Sequence, residues 1–285
     1  MRSADPFNMR IHWDALLEIY KEFAKICDRH GLRYYFMEGN AIGAMRHKGF
    51  VPWDDDIDVA MPRPDYERFR VIACKELPGH LRFWDWHDMD DWRFTFGKIQ
   101  DCREEKVLEV ESGIGHLLSS GLYIDILVID GFPESKIRQM LYKFKVLSYG
   151  SAIRYLLTTF KCQTTLGKVS WLYGFLCSKL LRMDNVRDVQ EKIDRLMKSV
   201  PFETAKTTWR AGAAIRVTMT FPREVWNGVV MKEFDEIEVP LPVGYDTYLR
   251  TQYGDYMSLP PPDKQIPSHC LTYRQPWWMG PCVNK

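Results

Sequence analysis

Phe36-Met37-Glu38-Gly39-Asn40-Ala41-Ile42-Gly43-Ala44-Met45-Arg46-His47-Lys48-Gly49-Phe50-Val51-Pro52-Trp53-Asp54-Asp55-Asp56-Ile57-Asp58-Val59-Ala60-Met61-Pro62 decides the fold of this chain. Its centre is an acidic run, Asp54, Asp55, Asp56 and Asp58, that leads straight into apolar residues. Carboxylates this crowded repel one another, and entry into a strand calls for a cation beside them. A solvated acidic turn capping a helix after Pro62 is the ordinary alternative. Side chains alternate along a strand, so a strand over 57–61 puts Asp56 and Asp58 on one face and Ile57 and Val59 on the other. Oxygen-only ligands suit Mg²⁺ or Mn²⁺ better than zinc, with Asp54 near enough to assist. Upstream, 32–37 reads as a strand, Glu38-Gly39-Asn40 as a turn and 41–47 as a short helix. A glycine with a short polar residue at such a junction lets backbone N–H groups approach a phosphate, so Gly39 and Asn40 are candidate phosphate contacts.

Residues 39–58 resemble the signature of the LicD-type proteins, phosphocholine transferases and their relatives, including the fukutin-related ribitol-phosphate transferases. One position departs: the family usually has Ser or Thr where this chain has Asn40, which puts the donor pocket in question. The resemblance implies a nucleotidyltransferase-like α+β fold, a mixed β-sheet flanked by helices. It also implies a CDP-linked alcohol donor, CDP-choline first among them, and a hydroxyl of a cell-surface glycan as acceptor. Lipopolysaccharide, capsule and teichoic acid are glycans of that kind. The acceptor oxygen would attack the phosphorus carrying the alcohol, and CMP would leave. Further stretches share the resemblance: Ile124-Asp125-Ile126, the basic strand end bearing Lys98 and Arg103 as candidate phosphate contacts, and 241–256 with 259–262 near the end.

The chain has 285 residues, 46% of them apolar, enough for a sizeable core. Its net charge of +1 argues for neither nucleic acid nor an acidic partner. Seven dispersed cysteines without a Cys-x-x-Cys pair, after an N-terminus lacking an apolar signal stretch, read as reduced thiols in a cytoplasm. His269-Cys270 with Cys282 is half a zinc site at most, because nothing supplies the other ligands at zinc spacing.

Apolar residues at helical spacing mark 12–30, and Pro62-Arg63-Pro64-Asp65 opens a second helix. The aromatic alternation of 81–87 and 92–100 reads as a β-hairpin. Residues 121–131 form an apolar strand broken by Asp125; an acid there needs a partner, and it is the natural third ligand or base beside Asp56 and Asp58. Residues 135–183 hold nine basic and no acidic side chains, leaving the remainder at −8 against the total of +1. They read as a basic helical insert, either a packed subdomain or one that lies on an anionic membrane surface. A helix over 184–199 and strands near 207–217 and 236–239 follow. The expected organisation is therefore a catalytic core over 1–133, the insert over 134–200, and a part completing the core over 201–285.

Transfer of a phospho-alcohol needs charge neutralisation and alignment more than covalent help, which a carboxylate-held metal supplies. In this reading Asp54, Asp56, Asp58 and Asp125 hold the metal, and Asp125 also takes the acceptor proton. Arg46, His47 and Lys48 offer cationic or hydrogen-bonding contacts to the substrate. Two other classes stay open: a nucleotidyltransferase that uses an NTP and expels pyrophosphate, and a glycan-assembly protein with a dead site. If choline is the alcohol, Trp84 and Trp86, or Trp92, Phe94 and Phe96, offer a cation–π cage. A lipid-linked glycan would be met at the inner face of the membrane.

Overall fold

The computed structural model describes residues 5–7, 9–103, 122–157, 165–212, 215, 217 and 219–267. Helix α1 (Arg10–His30) buries Trp13, Leu16, Leu17, Tyr20, Phe23 and Cys27 along one stripe and ends at Gly31, whose φ of 59° is the left-handed stop glycine takes without strain. The sheet is mixed. Strands β1 (Tyr35–Phe36), β2 (Asp58–Pro62), β5 (Tyr123–Phe132), β4 (Gly97–Asp101) and β3 (Leu81–Trp84) lie in that order, and β6 (Thr207–Arg210) and β7 (Phe221–Pro222) extend it past the second half of β5. Among the described residues only β2 and β5 pair in parallel. Val59, Ala60 and Met61 are all buried, as befits a central strand covered on both faces, so apolar alternation is lost there.

Helix α3 (Arg63–Glu76) follows β2 directly. Helices α4 (Lys136–Leu157), α5 (Thr165–Leu180) and α6 (Val186–Met197) gather around Tyr142, Val146, Ile153, Val189, Ile193 and Met197, and this cluster joins the sheet through Phe132 and Trp209. Trp209 Nε1 donates to Tyr142 Oη at 2.9 Å. A second ribbon, β8 (Val229–Phe234) with β9 (Ile237–Pro242), packs Phe234 against Phe36 and Phe50, and helix α7 (Tyr245–Tyr253) closes the described fold near the site. Arg63 is the buried joint of the molecule: its guanidinium forks onto both oxygens of Asp130 at 2.7 and 2.8 Å and reaches Asp194 at 3.2 Å, tying α3, β5 and α6.

The α+β class and the mixed, helix-flanked sheet agree with the sequence reading, and the differences are local. The strand expected over 32–37 holds pairing only at Tyr35 and Phe36. The turn expected at Glu38-Gly39-Asn40 is already the first turn of α2 (Glu38–Ile42), which runs into a π-turn over Gly43–His47. The hairpin forms, but between much shorter strands: Asp85 is fully buried and accepts from His87 N and Tyr66 Oη, which pulls the chain out of the strand after Trp84. Trp86, Trp92, Phe94 and Phe96 are thus on no strand. β8 goes unrecognised in the sequence because its exposed Val229 and Met231 break the apolar alternation. Among the described residues no helix is long and apolar enough to cross a membrane, and Cys27, Cys74, Cys102 and Cys177 are free thiols.

Candidate active site

The acidic run is an extended segment whose backbone is fixed mostly by side chains. Five consecutive carbonyls each accept a hydrogen bond. Trp13 Nε1 donates to Asp54 O at 2.7 Å, His12 Nε2 to Asp55 O at 2.7 Å and Asn40 Nδ2 to Asp56 O at 2.9 Å. Asp125 N reaches Ile57 O at 2.9 Å, and Met37 N reaches Asp58 O at 3.0 Å. Asn40 closes the bracket from the other end, its Oδ1 accepting from Asp58 N at 2.6 Å. Buried backbone groups must be paired, and here the pairing holds the carboxylates in place from behind. Asn40 is fully buried with both ends engaged, so its role here is to shape the acidic run.

Strand register completes the centre. Asp58 stands opposite Asp125 in the parallel pair, and Asp125 opposite Lys98 in the antiparallel pair. Burial and the neighbouring Asp56, Asp125 and Asp54 push the Asp58 carboxyl well above its ordinary range, with Lys98 opposing. Asp54 is driven up likewise by burial and by Asp56 and Asp55, and its side chain contacts that of Asp56. Lys98 is itself buried: its ammonium bonds to Asp125 and lies 3.7, 4.9 and 5.6 Å from the ring centroids of Tyr123, Phe94 and Phe96. The ring cluster of the hairpin therefore houses a cation of the protein's own. Trp92 donates Nε1 to Phe96 O within the core, Trp86 lies against His87, and Trp84 ends β3 under Arg82.

A hard divalent cation fits the chemistry of this donor set. Asp54 Oδ2 is buried with no hydrogen-bond partner, and crowding raises the cost of ionising both Asp54 and Asp58. Gly39 makes room for it: a Cβ there would lie 2.3 Å from Asp54 Oδ2. Among the described residues no three His, Cys, Asp or Glu side chains already form a metal cage. Lys98 engages Asp125 instead.

The remaining sequence candidates engage other parts of the chain, Arg46 while still lining the same cleft as Asp54. Arg46 donates to the carbonyls of Tyr256 and Ser258, both at 2.8 Å. His47 is lowered to about 4 by burial and by Arg46, so its ring is neutral at pH 7. Lys48 is exposed, with φ of 56° and Glu233 at 3.3 Å, and Arg103 forks onto Asp101 and reaches Glu18. The half zinc site at His269, Cys270 and Cys282 lies outside the described residues.

Other residues shape the site without any local signal in the sequence. Glu38 adopts φ of 48°, unusual for a residue with a Cβ, its N–H held by Tyr248 Oη at 3.0 Å. Its carboxylate gathers Arg210, Gln252 and Tyr253. Beyond it opens a cleft of about 360 Å³ between the acidic run and the segment after α7, lined by Gly39, Arg46, Trp53, Asp54, Tyr253 and Tyr256 among others.

Comparison with known proteins bears on this arrangement. Residues 31–111 match the family model described as LicD/FKTN/FKRP, nucleotidyltransferase domain. The chain is 32% identical over 258 residues to the lipopolysaccharide cholinephosphotransferase LicD of Haemophilus influenzae, covering 89% of this chain and 92% of that protein. Shorter matches, 29% identical over 58 and 51 residues, link it to uncharacterised proteins of Rickettsia typhi and Rickettsia prowazekii.

Proposed function

Because the chain belongs to the LicD family, we propose that it transfers phosphocholine from CDP-choline to a hydroxyl of a cell-surface glycan such as lipopolysaccharide, releasing CMP. It is a LicD-type phosphotransferase. The observation that carries the finer reading is the register that sets Asp58, Asp125 and Lys98 side by side at the end of a braced acidic run. Asp54, Asp56 and Asp58 would hold Mg²⁺ or Mn²⁺ with Asp125; such an ion supplies neutralisation of phosphate charge. The acceptor oxygen forms its bond to the choline-bearing phosphorus as the bond to CMP breaks. Asp125 takes the hydroxyl proton, and Lys98, fixed by three rings, holds that carboxylate in orientation. Gly39, Arg46 and a neutral His47 border the place where the donor would lie. The core has a nucleotidyltransferase-like architecture in this reading, and residues 134–200 are its basic insert.

The test is to incubate the protein with CDP-choline and glycan acceptor, or with NTPs, with and without Mg²⁺. Metal-dependent CMP release with CDP-choline is the expected result, abolished by chelation. Pyrophosphate from NTPs would make the protein a nucleotidyltransferase, and neither product would leave an assembly role.

The insert supports a membrane-side acceptor. On α4, Ile137, Met140, Leu141, Phe144 and Leu147 form an exposed stripe, and on α5 Val169, Leu172, Leu176 and Leu180 form another. Ser148 meets Tyr173 and Tyr155 meets Trp171, so the helices run antiparallel and the start of α4 lies beside the end of α5. Lys136, Arg138, Lys143, Lys145, Lys179 and Arg182 surround that end with no acid between 135 and 183. Apolar side chains bordered by cations match an anionic lipid surface, each cation contributing roughly 1 kcal/mol. Sedimentation with phosphatidylserine-containing vesicles should weaken as salt rises. Equal lack of binding to anionic and neutral vesicles would restrict the stripe to protein packing.

A further inference from the structure

We propose that the cleft beyond the acidic run is the seat of the donor's quaternary ammonium, with Trp53 and Tyr253 giving ring faces and Asp255 the counter-charge. This rests on the phosphocholine reading above and names the part of the site that would select the alcohol.

A trimethylammonium group has charge but no N–H to donate, so it is recognised by aromatic faces and carboxylates. The hairpin rings already have other neighbours: Phe94 and Phe96, with Tyr123 of β5, surround Lys98, Arg82 lies over Trp84, Trp86 lies against His87, and Trp92 is buried. The cleft offers what they do not. At about 360 Å³ it falls within the roughly 300–1,000 Å³ of ligand pockets. Three rings line it: Trp53, Tyr253, whose Oη is bonded to Glu38, and buried Tyr256, whose Oη is bonded to Asp246 at 2.9 Å and whose ring already has Arg250 over it at 5.9 Å, so Trp53 and Tyr253 are the two that can meet a ligand. Trp53 is set edge-on to His47, 6.2 Å between centroids. Asp255 is exposed on the same wall, its carboxylate accepting from Ser258 Oγ at 2.5 Å. Arg46 lines the cleft as well. A guanidinium, a carboxylate and rings in one cleft suit a zwitterion: phosphate toward Arg46 and the acidic run, ammonium toward Tyr253 and Asp255. Leu259 and Pro260 form an apolar lip against its methyl groups.

The experiment compares inhibition of CDP-choline turnover by phosphocholine and by the phosphate ester of 3,3-dimethylbutanol, which has the same shape without the charge. The parent protein should prefer phosphocholine by about tenfold or more. Trp53→Leu and Tyr253→Leu should each cut that preference about three- to tenfold. Tyr253→Phe, which keeps the ring, should retain it. Asp255→Asn alters an exposed side chain and should lower the preference without unfolding the protein. If CDP-choline is turned over but the preference is absent, or survives all these changes, the subsite is wrong and the transfer reading stands. If CDP-choline yields no CMP, both fall.

Discussion

Asp58→Asn should remove nearly all turnover, roughly 10³-fold or more, and yield a protein that melts later than the parent. Under the proposed function the first effect follows from the loss of one of the carboxylates that would hold the divalent ion, an ion that would contribute several kcal/mol to the transition state. The second follows from crowding. In the folded chain Asp58 is pushed upward by burial and by Asp56, Asp125 and Asp54. A carboxyl whose folded pKa exceeds its unfolded value binds more protons folded than unfolded. Stability is then greatest below the unfolded value near 4 and declines as pH rises through the raised folded one. The amide escapes that decline, and the bond from Asp58 N to Asn40 is a backbone one that the substitution keeps. A gain of roughly 2–5 °C at pH 7 is expected, vanishing near pH 4. Added Mg²⁺ should raise the melting temperature of the parent more than that of the variant. Near-normal activity in folded Asp58→Asn would remove the assignment of the centre.

Arg63→Ala should be the most destabilising single change in the described fold. It strands Asp130, which is fully buried, and leaves Asp194 without its guanidinium. Breaking a buried ion pair by deleting one partner costs about 3–5 kcal/mol, a large share of the roughly 5–15 kcal/mol available to a domain. At this chain length that lowers the melting temperature by roughly 10 °C. Arg63→Met with Asp130→Leu should recover much of the loss, because no charge is then left buried alone. Calorimetry of the parent and the two variants checks the point; an Arg63→Ala protein as stable as the parent would show that water reaches Asp130.

The sequence disclosed the parts governed by local pattern. The acidic run, the apolar strand broken by Asp125, the stripe of α1 and the presence of helices within 135–183, described as α4 and α5, are legible from spacing and composition. With β2 and β5 in hand, Asp58 beside Asp125 is one register away. What stayed hidden depends on contacts between distant segments. Trp13, His12 and Asn40 brace three successive carbonyls, and nothing in the residues around them announces it. Glu38 needs Tyr248, Arg210 and Tyr253 to hold its left-handed backbone, and those partners lie about 170–215 positions downstream. The hairpin misled for a different reason: alternating aromatics suit a strand, but buried Asp85 needs donors that only a turn supplies. Lys98, a candidate phosphate contact in the sequence, is buried, a placement its neighbours in the chain do not announce, and three rings and Asp125 make burial of its charge tolerable.

The parallel pairing of β2 with β5 also governs the order in which the chain can acquire competence. A parallel pair cannot be joined by a tight turn, and Asp58 meets Asp125 only after the intervening chain, α3 and the β3–β4 ribbon included, has closed a long loop. Contacts of such sequence separation form late and slowly. A nascent or partly folded chain can thus have its helices and the β3–β4 ribbon without having Asp58 and Asp125 face to face, and the divalent-ion site proposed above would be incomplete until they meet. The facing of the two acids comes into being together with the finished topology.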